Sequence, residues 1–181
     1  TMNKILPLLA VLALTASCCG SKPEKRVHKL LMDRMLTLSV AESCTGGDIA
    51  SRFTAIPGAS AYFKGGAVAY WNQTKTLLLN VSADTIARYG VVSEEVVRQM
   101  AEGARHAADT HYAIATTGIA GPTGGTPEIP VGSVWIAVSS PERTVARLVR
   151  IEGSRSKVIR GAGSAAIELL EEEVKAGGRT R

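Results

Sequence analysis

Three strand signals in this chain run straight into a glycine-bearing turn, and two of those turns open a helix. In the first, Leu36, Leu38 and Val40 alternate with Thr37, Ser39 and Ala41. Thr45-Gly46-Gly47 then leads into Ile49, Ala50 and Phe53 at helical spacing. Thr45 is expected near the N-cap of that helix, and Pro57-Gly58 closes it. In the second, a strand over Tyr112–Ala115 ends at Thr116-Thr117-Gly118 and continues as a glycine-rich loop, residues 118–130. In the third, Thr144–Ile151 is followed by Gly153-Ser154-Arg155 and a helix over Ser156–Val174. Such a succession permits few architectures, because each helix must bury its apolar stripe on the face of a sheet.

The remaining elements agree with that frame. Glu24–Met35 is a short helix, with Val27, Leu30 and Leu31 at helical spacing. Gly66–Trp71 is a short apolar strand, and Asn72–Leu79 turns into a helix. Ser82 caps a short helix running to Tyr89-Gly90. Ser93, followed by Glu94 and Glu95, opens a longer one whose apolar face is Val96, Val97, Met100, Ala101, Ala104 and Ala108. Val131–Ser139 is a further strand, joined to the next through Pro141. The expected class is α/β, a three-layer α/β/α sandwich with a central mixed sheet. The expected boundaries are an N-terminal extension over residues 1–23, one domain over 24–175 and a loose tail over 176–181.

Charge narrows the function. The 181 residues carry a net charge of +5 and a pI near 9.3, which alone would suggest a polyanion as partner. Residues 1–35, however, hold six Lys/Arg against only Glu24 and Asp33, and the rest of the chain is close to neutral. Nucleic-acid binding is therefore not expected, and aromatic residues at 4% are too sparse for a base-stacking platform. Residues 2–19 have the order of a bacterial secretory or lipoprotein signal: Lys4, an apolar stretch from Ile5 to Ala16, then Ser17 before Cys18-Cys19. They are equally an extraneous extension, with Thr1 standing ahead of Met2. Contact with a membrane is expected only on the lipoprotein reading. Cys44 is then the domain's one thiol, so no internal disulfide is expected and no zinc ligand set is present.

Candidate chemistry concentrates in four places. Residues 41–47, AESCTGG, put hydroxyl and thiol groups between a strand end and a helix entrance, where free N–H groups can stabilise an oxyanion. The same turn is also what an ordinary Ser/Thr helix cap looks like. Lys75 follows an apolar strand end with Tyr70, and desolvation there would lower its pKa and make it a base. A solvated helix lysine has the same signature. No second His or Cys completes a metal set around His106, with His28 and His111 on other elements. A Ser-His-Asp triad stays open but nothing in the sequence points to it, and without a catalytic histidine a Ser–Lys pair is the remaining route to an activated serine. GIAGPTGG can approach a phosphate or ribose closely, or be a plain turn. Arg155, before the last helix, could hold a phosphate or be a surface arginine. No GxxxxGK[ST] sequence is present.

Taken together, several motifs resemble those of the CinA C-terminal domain family, the nicotinamide-nucleotide amidohydrolases. They are AESCTGG at 41–47, PGAS through Y-x-N-x-x-K at 57–75, GVVSEEVV at 90–97, TTGIAGPTGG at 116–125, P-VG-S-VW at 130–135 and G-S-R at 153–155, in register over about Glu24 to Val174. The resemblance implies an amidase converting nicotinamide mononucleotide to nicotinate mononucleotide and ammonia, without metal or other cofactor, in pyridine nucleotide recycling. It implies Ser43 as nucleophile, Lys75 as base acting directly or through Tyr70, and Tyr70 as an assistant. Backbone N–H groups of Thr45, Gly46 and Gly47 would hold the oxyanion. Thr117, Gly118, Ala120 and Gly121 would line the nucleotide pocket, and Arg155 would bind the phosphate. It further implies a homodimer in the cytoplasm, whereas residues 2–19 suggest export or lipid anchoring. A non-catalytic nucleotide-binding module, anchored or free, is the competing expectation.

Overall fold

The computed structural model describes residues 21–177; the signal-like segment 2–19 lies outside them. Helix α1 (Pro23–Asp33) precedes strand β1 (Leu38–Glu42). Helix α2 (Asp48–Thr54), a single 3-10 turn at Ala59–Ala61 and strand β2 (Phe63–Val68) follow. Next come α3 (Asn72–Leu79), α4 (Ala83–Tyr89) and α5 (Glu94–Ala107). The last described elements are β3 (Tyr112–Gly118), β4 (Ser133–Ser139), β5 (Thr144–Arg150) and the long α6 (Arg155–Gly177).

The five strands form one sheet in the order β2-β1-β3-β4-β5. β1 is parallel to both β2 and β3, while β4 and β5 join antiparallel, so the sheet is mixed. Right-handed crossovers explain the layers. The step from β1 to β2 goes one way through α2, and the step from β2 to β3 goes back past β1 through α3–α5, so these helices fall on opposite faces. The chain is a three-layer α/β/α sandwich. Along β1, β2 spends one extra residue: Leu38 pairs with Phe63, but Ser39 pairs with Gly65, leaving Lys64 without a partner in the ladder.

Side-chain size differs between the two faces. Leu38, Val40, Ile114, Ile136 and Val138 meet α1, α2 and α6 on one side. Ala41, Ala113, Ala115 and Ala137 meet Val96, Val97, Met100 and Ala101 of α5 on the other. The alternation follows from the two-residue period of a strand. Small residues let α5 lie close to the sheet, and its Gly103 abuts the Leu79 carbonyl at the end of α3.

Several local expectations change. All five residues of β1 are buried. Ser39 Oγ is satisfied inside by the Ala104 carbonyl at 3.1 Å and Thr110 Oγ1 at 2.8 Å. Ala108 caps the end of α5 rather than extending its buried face. The last helix starts at Arg155 and includes Ala176 and Gly177. No helix among the described residues is long and apolar enough to cross a membrane.

Candidate active site

The chain reverses direction across the sheet between β1 and β3, and their carboxyl ends open the crevice where ligands bind in open α/β sheets. Ser43 follows β1 directly, and its N–H donates to the Thr116 carbonyl at 3.1 Å, which ties it to β3. Two tight turns come next. Gly46 N–H donates to the Ser43 carbonyl at 3.1 Å and Asp48 N–H to the Thr45 carbonyl at 3.2 Å. Gly46 and Gly47 have φ of +62° and +101°, a region open to glycine at little cost.

The cap of α2 differs from the sequence expectation. Gly47, not Thr45, occupies the N-cap position, and Thr45 Oγ1 instead pairs with Thr116 Oγ1 at 2.8 Å. The Glu42 carboxylate does the capping, accepting N–H bonds from Gly47, Ile49 and Ala50. Glu42 was missed because a side chain reaching forward five to eight residues leaves no short-range signature. Since the N–H groups of Gly46 and Gly47 are spent inside the turn, they are not available as oxyanion donors. Those of Cys44 and Thr45 donate to no backbone carbonyl among the described residues.

Lys75 sits in α3 one turn beyond Asn72, and only 1% of it is exposed. Its Nζ donates to Ser43 Oγ at 3.1 Å and to the Ala69 carbonyl at 2.7 Å. No carboxylate among the described residues pairs with it. Burial pulls its pKa below the ordinary 10.5. Cys44 is buried, which pushes its thiol up to about 12 and keeps it protonated beside the serine.

Tyr70 is 54% exposed, and its hydroxyl accepts from Arg155 Nη2 at 2.7 Å. Arg155 Nη1 donates to the Gly121 carbonyl at 2.8 Å. Tyr70 therefore engages Arg155, while Lys75 meets Ser43 without an intermediary. Thr117 Oγ1 donates to the Val91 carbonyl at 2.8 Å and braces the segment between α4 and α5. Gly118 lies against β4: a Cβ there would stand 2.5 Å from the Ser133 carbonyl oxygen.

These groups enclose an open cavity of about 220 Å³. Ser43, Tyr70, Lys75, Thr117, Gly118, Ala120, Gly121 and Arg155 all line it; Thr45, Gly46 and Gly47 do not. Its wall also includes Asn72, Val91, Val92, Ile119, Thr123 and Gly124. Asn72 belongs to the Y-x-N-x-x-K stretch, which is the signal that could have singled it out. The histidines sit elsewhere: His28 packs edge-on to Tyr62, His106 contacts Arg105, and His111 bonds Thr37. A larger cleft at the other end of the sheet, beside Arg34, His111 and Glu142, holds no nucleophile–base pair. Among the described residues no group of three or more His, Cys, Asp or Glu is placed to hold a metal ion.

The fold has close counterparts. A CinA superfamily protein of Klebsiella pneumoniae superposes with a TM-score of 0.82 at 33% identity, covering 85% of this chain and 96% of that one. The competence/damage inducible protein CihA of Agrobacterium tumefaciens gives a TM-score of 0.79 at 35% identity, with 84% and 96% covered. A CinA-like protein of Citrifermentans bemidjiense is 50% identical over 135 residues, 75% of this chain and 33% of the relative. One from Acidobacterium capsulatum is 44% identical over 151 residues, 83% of this chain and 36% of the relative. The chain thus spans about a third of the length of these curated relatives. The CinA C-terminal domain profile matches residues 20–174, a span holding every residue of the crevice, and so this chain belongs to the CinA C-terminal domain family.

Proposed function

We propose that this protein is a serine/lysine amidohydrolase that converts nicotinamide mononucleotide to nicotinate mononucleotide and ammonia in pyridine nucleotide recycling. The observation that carries the reading is the contact of a buried lysine, without a carboxylate partner among the described residues, with Ser43 Oγ at 3.1 Å. An ordinary surface lysine would be solvated or paired. Here burial favours the neutral amine, the form that can take a proton.

The geometry then suggests the steps. The substrate phosphate meets Arg155 at one end of the cavity, and its carboxamide meets Ser43 at the other. Lys75 Nζ accepts the Ser43 hydroxyl proton as Oγ attacks the amide carbon. Cys44 and Thr45 N–H groups receive the charge on the carbonyl oxygen, a type of contact typically worth ~10²–10³ in rate per donor. Lys75 returns the proton to the leaving nitrogen, the C–N bond breaks and ammonia departs. A water, deprotonated by the same amine, attacks the acyl ester; Ser43 is released with a proton and the product leaves as the acid.

The same reading carries a small-molecule nucleotide as partner, a homodimer and a cytoplasmic location. Ammonia release from nicotinamide mononucleotide tests it, with Ser43→Ala and Lys75→Ala expected to be inactive. Tight nucleotide binding by calorimetry alongside zero turnover would favour the non-catalytic module instead.

A further inference from the structure

Glu42 closes β1 immediately before Ser43 and is 1% exposed. No Lys or Arg among the described residues pairs with its carboxylate. Burying a carboxylate is expensive unless its oxygens are hydrogen-bonded. Here three backbone donors do this: Gly47 N–H at 3.0 Å, Ile49 N–H at 3.2 Å and Ala50 N–H at 2.8 Å. An ordinary cap comes from the N-cap residue itself. This one comes from the far side of the nucleophile, so Ser43 to Gly46 are held in a loop closed at both ends by one residue. The backbone of Glu42 makes a second tie. Its carbonyl accepts Ala69 N–H at 2.8 Å, and the Ala69 carbonyl in turn accepts Lys75 Nζ at 2.7 Å.

We propose that Glu42 is the positioning residue of the Ser43–Lys75 pair: its carboxylate fixes the turn that presents Ser43, and its main chain fixes the carbonyl that orients Lys75. The inference rests on Ser43 and Lys75 being the reacting pair. Glutamine at this position keeps shape and volume but offers one acceptor oxygen, and its amide N–H₂ opposes at least one of the three donors.

The test compares wild-type protein with Glu42→Gln and Glu42→Asp by two readouts: ammonia release from nicotinamide mononucleotide, and labelling of Ser43 by a fluorophosphonate followed by intact mass. For Glu42→Gln, kcat is expected to fall roughly 10- to 100-fold, as small displacements of reacting groups do. KM should change less than about threefold, because no substrate contact is lost. Ser43 labelling should slow in proportion, and Glu42→Asp, with the charge restored but one methylene short, should fall between. A folded Glu42→Gln variant with wild-type kcat and labelling rate overturns the proposal, as does a defect confined to KM. If Glu42→Gln does not fold, the Asp variant decides: wild-type labelling there overturns it. Wild-type protein labelled at Ser43 yet releasing no ammonia sinks the substrate assignment alone, and the labelling ratio still tests Glu42. Wild-type protein that does neither overturns both.

Discussion

Tyr70 Oη and Arg155 Nη2 lie 2.7 Å apart at the rim of the cavity, so the tyrosine nearest in sequence to the serine–lysine pair is engaged away from it. With Arg155 Nη1 on the Gly121 carbonyl, the guanidinium spans β2's end and the glycine-rich loop before any ligand arrives. Tyr70→Phe removes one of its two anchors and nothing from the Ser43–Lys75 contact. KM should rise about threefold to tenfold with kcat within about twofold of wild type. Arg155→Met should raise KM roughly 10- to 100-fold, the worth of a hydrogen bond to a charged group. Steady-state kinetics of ammonia release separates the two parameters, and a collapse of kcat in Tyr70→Phe would put the hydroxyl in the proton path.

Replacing Lys75 by methionine keeps much of the buried stem and removes the amine. Turnover should fall about 10²- to 10⁴-fold, the usual scale for losing a general base. Thermal stability should hold or rise, since a desolvated amine no longer has to be buried. A melting curve and an ammonia assay on the same preparation test both halves; loss of activity together with loss of folding would not fit.

The lowered pKa of Lys75 also ties stability to pH. The unfolded chain, with the ordinary value of 10.5, binds this proton more tightly than the folded chain does. Stability contributed by this group therefore increases as pH rises through the folded pKa, and levels off above 10.5. Activity should climb only as pH passes through the folded pKa and then level off, as the amine becomes able to accept the Ser43 proton. Denaturant melts at stepped pH should show this upward component in wild type and lack it in Lys75→Met.

Glycine in the middle of a helix is usually improved by alanine, by about 0.5–1 kcal/mol. Gly103 of α5 should show the opposite sign. A methyl group there runs into the Leu79 carbonyl and main chain at the end of α3, which are not free to move like a flexible side chain. Gly103→Ala is expected to lose about 1–3 kcal/mol, the usual cost of overpacking. Chemical denaturation measures it; a stabilised variant would show that α5 can stand further from α3.

The order of elements was legible because strand and helix periodicities differ, and Ser82 and Ser93 do cap their helices, each accepting from the N–H three residues on. The cavity-lining positions of Ser43, Lys75 and Arg155 were legible only through long motifs in register, for each alone looks like a cap or a surface charge. What stayed hidden has a common physical origin. The burial of Ser39 had no local signal, because its partners, Ala104 and Thr110, lie 65 and 71 residues away. Thr45 looked like the cap because hydroxyls commonly are, yet a buried carboxylate three residues earlier supplies more acceptor sites and takes the donors. Side-chain partners fixed by tertiary packing leave no periodic trace.

The unpaired Lys64 acquires a meaning here. Every residue of β2 after it is displaced by one position along β1 relative to an unbroken ladder. Ala69, whose N–H meets Glu42 and whose carbonyl holds Lys75, stands in that displaced frame. Slipping a strand by one residue also turns each side chain to the other face of the sheet. A chain one residue shorter before Gly65 would still spell out Ser43, Tyr70 and Lys75 in full. It would have lost the reading frame in which they meet, so that single residue is as much a part of this site's alphabet as the groups that touch the cavity.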